Sequence, residues 1–493
     1  MKNAFGRIAS IIVAFCVATV VNSHGQTVTT VFSLNASTGS TANSLVQGTD
    51  GNLFGTAELD GQNGLGSGYE VTPNGKLVKV VSFCSQTNCA DGANPNAPLL
   101  LAADGNYYGT TNGGGANGKG GTVFKLSPGG QLTTLYSFCS QSNCADGGGP
   151  SVLVQGRDGN LYGITGAGGS GHQCSFRSSG CGTVFKITTK GLLTTLHSFC
   201  IESSCLDGYQ PSSLALSTEG GFYGTAAQGG SSGNGTFFVM SPTGSVTALH
   251  SFTHTEGSYP NGVIEGTDGN FYGTTRVQGS TGNGTIFQIT PSGQVNILYN
   301  FCSSSLCSDG GVPWSGLVQG TDGNFYGTTN DGGTGQHCPG LGGVPCGTLF
   351  KITPAGEVTS LYSFCTQSGC SDGGVPLTVL IQGTDGVFYG TTSEGANTSC
   401  HHGCGTIFSL SVGLAPFVEA NPVGGKVGYK IQILGNGLTG TTTVTFNGTP
   451  AMFTVLSDTL IKAVVPSGAT TGTIEVTTPS GTLNSNVAFQ VLP

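Results

Sequence analysis

The stretch Thr321-Asp322-Gly323-Asn324-Phe325-Tyr326-Gly327-Thr328-Thr329 decides the reading of this chain, because variants of it occur seven times. It recurs as TDGNLFGTA from Thr49, ADGNYYGTT from Ala103, RDGNLYGIT from Arg157 and TEGGFYGTA from Thr218. It returns as TDGNFYGTT from Thr267 and TDGVFYGTT from Thr384. From Asp50 to Asp385 the mean step is about 56 residues, close to the range of known propeller repeats. One supersecondary unit is therefore repeated, and its internal grammar decides the fold.

In the sixth unit, the apolar run 316–320 ends at Thr-Asp-Gly-Asn, a strand leading into a tight hairpin turn. Phe325 to Thr329 is aromatic and Thr-rich, as strands prefer. A Gly-rich connection leads to Gly347-Thr-Leu-Phe-Lys-Ile-Thr353, and Pro354-Ala355-Gly356 makes the next turn. Glu357 to Phe364 alternates apolar and polar residues as a half-buried fourth strand does. Four antiparallel strands repeated seven times predict a seven-bladed β-propeller; a β-solenoid, with shorter coils, is the competing fold. The seventh unit stops after its third strand, whereas Thr27 to Leu34 (TVTTVFSL) fits the fourth-strand pattern without a preceding three. The N-terminal strand is thus expected to complete the last blade and close the ring, removing an exposed sheet edge.

The pairing of Tyr-Gly-Thr-Thr with Gly-Thr-Val-Phe-Lys-Ile-Thr-Pro-x-Gly, over residues 27–411, resembles the tandem GloVer repeat of bacterial exported proteins. That resemblance implies no particular activity. After 412–415, a linker, the residues ANPVGGKVG, ILGNGLTGTTTVTFNGTPA and IKAVVPSGATTGTIEVTTPSGT within 416–493 resemble an IPT/TIG domain. Its short alternating strands suit an immunoglobulin-like β-sandwich. Such modules mostly act as spacers or adhesive units.

Residues 1–25 read as a secretory signal: Lys2 and Arg7 precede the apolar run 8–21, and small residues follow. Nothing else in the chain approaches the ~20 apolar residues that span a bilayer, so the protein is expected to be secreted or held at the cell surface. The formal charge of −9, with no Lys/Arg cluster, argues against nucleic acid and anionic membranes. Without Cys16 of the signal, sixteen of the 17 cysteines remain, an even number for an oxidising compartment.

Up-and-down strand order puts the uniformly short TDGN and TPxG turns at one end of every sheet and the variable loops at the other. All eight expected disulfides fall on the variable end. Five are Cys-x4-Cys-x-Asp-Gly loops: Cys84–Cys89, Cys139–Cys144, Cys200–Cys205, Cys302–Cys307 and Cys365–Cys370. Three are second-third loops: Cys174–Cys181, Cys338–Cys346 and Cys400–Cys404. Zinc ligation is the alternative use of such pairs. Asp91, Asp146, Asp207, Asp309 and Asp372 follow the second cysteine of each of these five loops. As a set they would bind calcium or sugar hydroxyls; singly, each would cap its own turn. No other cofactor is indicated. His172, His337, His401 and His402 lie in three of the loops, and His197 and His250 replace Tyr in the fourth strand. Gln47, Gln155, Gln319 and Gln382, with Glu265, share one first-strand position that Leu101 and Leu216 interrupt. They would either face the channel or form an amide ladder between blades.

Three functions fit. A binding or adhesion protein would recognise a polysaccharide or a cell-surface protein through the loop face, with Trp314 and Tyr259 able to stack on sugars. A carbohydrate-active enzyme would need two of Glu58, Asp60, Asp331 and Glu394 facing each other. A structural surface or matrix protein would need no soluble ligand. Without a nucleophile motif, the binding protein is the preferred reading.

Overall fold

The computed structural model describes residues 26–171, 180–202, 204–335, 345–396, 399–400 and 403–493. The expected signal at 1–25 lies outside them, as do His172, Cys174, His337, Cys338, His401 and His402. The protein is all-β. Helical structure among the described residues is limited to single 3-10 turns such as Ser142–Cys144 and Ser368–Cys370, each ending at the second cysteine of a Cys-x4-Cys loop.

The described residues within 27–411 form seven antiparallel sheets, six of them built from one repeat each. The sixth runs Val318–Gln319, Phe325–Thr329, Thr348–Ile352, Val358–Ser363, each strand pairing with the next. The seventh takes Ile381–Gln382, Phe388–Thr391 and Thr406–Ser411 from its own repeat. Its fourth strand is Thr27–Ser33, which pairs with Thr406–Ser411 from Thr27 opposite Ser411 to Ser33 opposite Thr406.

The repeated nonapeptide explains itself residue by residue. Asp322 Oδ1 accepts the Asn324 N–H at 3.2 Å, and Gly323 supplies the left-handed turn position with φ +80°. Asp322 Oδ2 accepts the Tyr326 hydroxyl at 2.9 Å, tying the turn to the strand it feeds. Successive strand residues point to opposite faces, so Phe325 and Tyr326 look at different neighbours. Tyr272 of the fifth sheet stacks on Phe325 at 4.0 Å between centroids, and Tyr326 stacks on Phe388 of the seventh at 4.2 Å. The same contact joins Phe54 to Tyr107, Tyr162 to Phe222 and Tyr223 to Phe271. Gly327 has its own reason: a Cβ there would lie 2.6 Å from Cζ of Phe350, the buried aromatic of the third strand.

Buried apolar clusters lie between consecutive sheets along the chain, and one more joins the last sheet to the first. It unites Leu45, Leu53 and Tyr69 with Tyr389 and Ile407. The glutamines form the amide ladder. Gln155, Gln319 and Gln382 each accept, through Oε1, the backbone N–H that opens the preceding repeat's turn: Ala103 at 2.9 Å, Thr267 at 2.9 Å and Thr321 at 3.0 Å. Gln47 accepts from Thr384 at 2.9 Å, linking first and last sheets, and Glu265 plays the part for Thr218.

The C-terminal part has two four-stranded sheets sharing one core, which includes Ile431, Ile433, Val444, Phe446, Ile461 and Val476. It rests on the short-turn end of sheets one, two and seven. Asn421 Nδ2 donates to the Leu101 carbonyl at 3.2 Å, Thr459 Oγ1 to that of Thr49 at 2.8 Å and Asn436 Nδ2 to Thr384 Oγ1 at 2.7 Å.

Because Phe350 and its backbone cannot both yield, Gly327→Ala is expected to cost about 1–3 kcal/mol by overpacking. A denaturant melt checks it, and an unchanged midpoint would refute this account of the invariant-looking glycine.

Candidate functional site

At the variable end, five Cys-x4-Cys loops are closed as expected: Cys84–Cys89, Cys139–Cys144, Cys200–Cys205, Cys302–Cys307 and Cys365–Cys370. Cys400–Cys404 is closed too, and Cys181 and Cys346 are disulfide-bonded, their expected partners lying outside the described residues. The sulfurs of Cys346, Cys365 and Cys370 lie within 4.8 Å of one another. All three are already committed to disulfides, so this is a meeting of two bridges and not a set of metal-ligating thiolates.

The five loop aspartates are turned inward. Asp309 accepts the Ser303 N–H at 2.9 Å, the Ser304 N–H at 3.3 Å and the Tyr299 hydroxyl at 2.7 Å. Asp146 and Asp372 repeat the pattern with Tyr136 at 2.8 Å and Tyr362 at 2.7 Å. Asp91 accepts from Ser85 and Gln86, and Asp207 from the Cys200 N–H. Their oxygens are thus engaged by their own loops, and a calcium ion or sugar would have to displace those donors. Burial alone would raise the Asp309 carboxyl, but the bonds from Ser304, Tyr299 and Ser303 outweigh it and hold it at about 2.

His197 and His250 prove to be more than packing. Each lies edge-on to a phenylalanine, Phe199 or Phe252, and each hydrogen-bonds a loop carboxylate: Asp207 at 2.9 Å or Glu256 at 3.0 Å. Glu256 belongs to a loop without cysteines and does the aspartate's work there, accepting the Thr253 N–H at 2.8 Å. The motif Tyr/His-to-carboxylate was hidden in the sequence because spacing and residue type both change in that repeat.

Between these loops opens a cavity of about 630 Å³, walled by sheets one, six and seven and the loops joining them. Asp60, Glu394 and Trp314 lie on its wall, with Asn330, Ser393 and Ser40 among the polar neighbours and Leu59 and Leu377 among the apolar ones. Asp60 accepts a hydrogen bond from Ser40 Oγ. Trp314 is 39% exposed, and the Arg276 guanidinium lies 3.1 Å from its ring centroid. Of the four carboxylates singled out in the sequence, Asp60 and Glu394 line the wall, whereas Glu58 and Asp331 do not and are only chain neighbours of Leu59 and Asn330, which do. Asp331 holds the Asn330 amide and lies in the field of Arg276; burial pushes its carboxyl up. Burial likewise raises Glu58, whose carbonyl accepts from Asn94 at 3.1 Å. Tyr259 is exposed.

One feature of the rim had no sequence signal. Thr41, Asn94, Gly149, Gln210, Tyr259, Val312 and Val375 occupy one repeat position and all have φ between +52° and +58°. In six of them, Thr41 aside, the N–H donates to a carbonyl of the preceding repeat: Val375 to Cys346 at 2.9 Å and Val312 to Asn283 at 2.8 Å are two examples. Left-handed geometry is costly for β-branched residues, and here that bond from one repeat to the one before accompanies it.

Sheet upon sheet of one repeat, stapled loops at one end and a second all-β domain define an extracellular-type repeat protein. The chain belongs to the Gloeobacter/Verrucomicrobia repeat family, whose model matches residues 17–224, 175–338 and 210–449. An IPT/TIG domain matches residues 417–491. No curated protein matches the sequence. Among solved structures, a fungal alcohol oxidase of the AA5 family, in complex with copper, is similar with TM-score 0.50 and 15% identity. The alignment covers 93% of this chain and 98% of that one. The extracellular domain described for a hybrid two-component system of B. thetaiotaomicron aligns with TM-score 0.48 and 12% identity, over 93% of this chain and 57% of that one. At these identities the likeness concerns fold alone. Among the described residues, no helix is long and apolar enough to cross a membrane.

With a folded-state pKa near 2 against an ordinary carboxylate value near 3.9, Asp309 contributes stability that is present above about pH 4 and lost as pH falls towards 2. Asp309→Asn is expected to cost about 1–3 kcal/mol at pH 7 and to flatten the decline in melting temperature between pH 4 and 2. Parallel acid profiles for variant and parent would contradict it.

Proposed function

We propose that this is a secreted or surface-held binding protein that takes a polysaccharide chain, or the glycan of a cell-surface partner, into the loop-face cavity. The observation that carries this reading is the cavity's wall: the chain's single tryptophan beside Asp60, Glu394, Asn330 and Ser393. Sugar recognition uses an aromatic face for the C–H surface and amide or carboxylate groups for hydroxyls. Rigid, disulfide-closed loops would hold those groups in place before the ligand arrives, which lowers the entropic cost of binding.

The architecture proposed with it is a seven-bladed β-propeller over 27–411 closed by the N-terminal strand, a linker at 412–415 and an immunoglobulin-like domain at 416–493. Support comes from the pairing of Thr27–Ser33 with Thr406–Ser411 and from the core shared by first and last sheets. A chain starting at Leu34 would leave Thr406–Ser411 as a free edge. It is expected to melt lower and self-associate, with a peptide spanning 26–34 restoring the parent behaviour; an unaltered melt and a monomeric elution would count against closure.

Because Trp314 is the only tryptophan, its fluorescence reports occupancy of the cavity directly. Pull-down of oxidised protein on insoluble polysaccharides, and titration with soluble ones, should give retention and a saturable emission change that Trp314→Ala abolishes. Retention that survives Trp314→Ala and leaves emission unmoved would place binding elsewhere. A second reading has one observation in its favour: Asp60 and Glu394 share the cavity wall, as a glycosidase's two carboxylates would. Release of reducing sugar, lost in Glu394→Gln, would select it.

A further inference from the structure

The strand Glu419–Asn421 lies where the C-terminal domain meets the sheets. Just before it, the Phe417 N–H donates to the Thr384 carbonyl at 3.0 Å, and at its end Asn421 Nδ2 donates to the Leu101 carbonyl at 3.2 Å. Val418 and Ala420 point into the domain's own core, so Glu419 points the other way, on the face that Asn421 presents to the sheets. That face is covered: Leu434, opposite Glu419 and outside the domain's core, is only 3% exposed. Gln432 stands opposite Asn421, which makes it the diagonal neighbour of Glu419, within reach of a long side chain. Its Oε1 is buried without a donor among the described residues, and a Cβ on Gly105, in the turn of sheet two, would lie 3.3 Å from its Nε2. An acceptor that lacks a donor and a carboxyl that lacks water thus share one covered face, and a proton on the carboxyl satisfies both. We infer that Glu419 docks as the uncharged acid, with its O–H donated to Gln432 Oε1, so that the domain is seated by a proton and loosens when the proton leaves.

The ionisable groups of the elements packed here are Asp50, Asp104 and Asp385 in the turns of sheets one, two and seven, with Lys430, Lys462 and Asp458 of the domain itself. Each turn aspartate is engaged within its own hairpin, by Asn52, Tyr108 or Tyr389. Asp458 accepts from Gly437 and Thr439, and both lysines are exposed to water. Among the described residues, loss of water is the influence left on Glu419, and it pushes the carboxyl up. Docking is therefore at full strength below the ordinary glutamate range and weakens as pH rises through the raised value. The test compares the full chain with Glu419→Gln, whose amide can donate to Gln432 as the acid does but carries no charge. Thermal melts and small-angle X-ray scattering are recorded at about pH 4.5 and about pH 8. At the higher pH the variant should melt roughly 2–4 °C above the parent and keep a shorter maximum dimension, whereas at the lower pH the two should coincide. Gln432→Met, which removes the acceptor, should lower the pH at which the domain loosens by about one unit. An unmoved midpoint there would overturn Gln432 as the acceptor. A parent-to-variant gap that is equal at both pH values, or a parent that melts above Glu419→Gln at the higher one, would overturn the bound proton. A parent as compact at the higher pH as at the lower would overturn the link to docking, whatever the melts show.

Discussion

The structure depends on the stacking, at five sheet junctions, of one aromatic from a second strand on an aromatic of the next sheet. Tyr272 on Phe325 and Tyr326 on Phe388 are two links of that chain, spaced at 4.0 and 4.2 Å. Beyond its apolar area, such a pair contributes about 0.5–1.5 kcal/mol and fixes the relative orientation of its partners. Much else in the nonapeptide serves the pair. The aspartate holds the tyrosine hydroxyl, and the following glycine makes room for the third-strand phenylalanine that closes the same core. Where the stacking partner is aliphatic, as at Leu53 against Tyr389, the core is kept and the aromatic geometry is lost.

Rigid sheets leave their connecting loops to be ordered separately, and here two devices act together. The disulfide shortens each Cys-x4-Cys loop, and the aspartate satisfies its backbone N–H groups from within. The fifth repeat demonstrates that the carboxylate can work without the bridge: Glu256 and His250 organise a loop that has no cysteine. Loops ordered in this way can enclose a cavity that stays open, which loops held only by a ligand would not do.

The sheet grammar, the loop disulfides and the N-terminal fourth strand were legible because each depends on local spacing. Asp-Gly turns, period-two strands and paired cysteines act within about ten residues of themselves. The ladder of glutamines was seen as a set, but its direction was not, since an amide facing a channel and one facing a neighbouring turn occupy the same strand position. Glu256 was missed because it replaces aspartate at a shifted spacing. The left-handed ring from Thr41 to Val375 was invisible: its cause is a carbonyl in the preceding repeat, and Val and Tyr do not advertise positive φ. The cavity was half legible. Asp60, Glu394 and Trp314 were named separately as loop residues, whereas their meeting required knowing that the first and last sheets pack together.

The junction between the first and second sheets is where the C-terminal domain sits. The amide ladder fails at Leu101, so Thr49 and the second sheet lack the link that glutamine provides elsewhere. The domain takes up this junction, with Asn421 bonding the Leu101 carbonyl and Thr459 that of Thr49. At the other break, Leu216, the Arg157 side chain reaches across to the Thr218 carbonyl instead. A repeat array with seven equivalent turns would offer seven equivalent seats; of the two positions without the glutamine, Leu216 is bridged by Arg157 and Leu101 is the one the domain contacts. The domain therefore contacts the short-turn end of sheets one, two and seven, the end opposite their loops. The domain and the cavity thus lie at opposite ends of the same sheets.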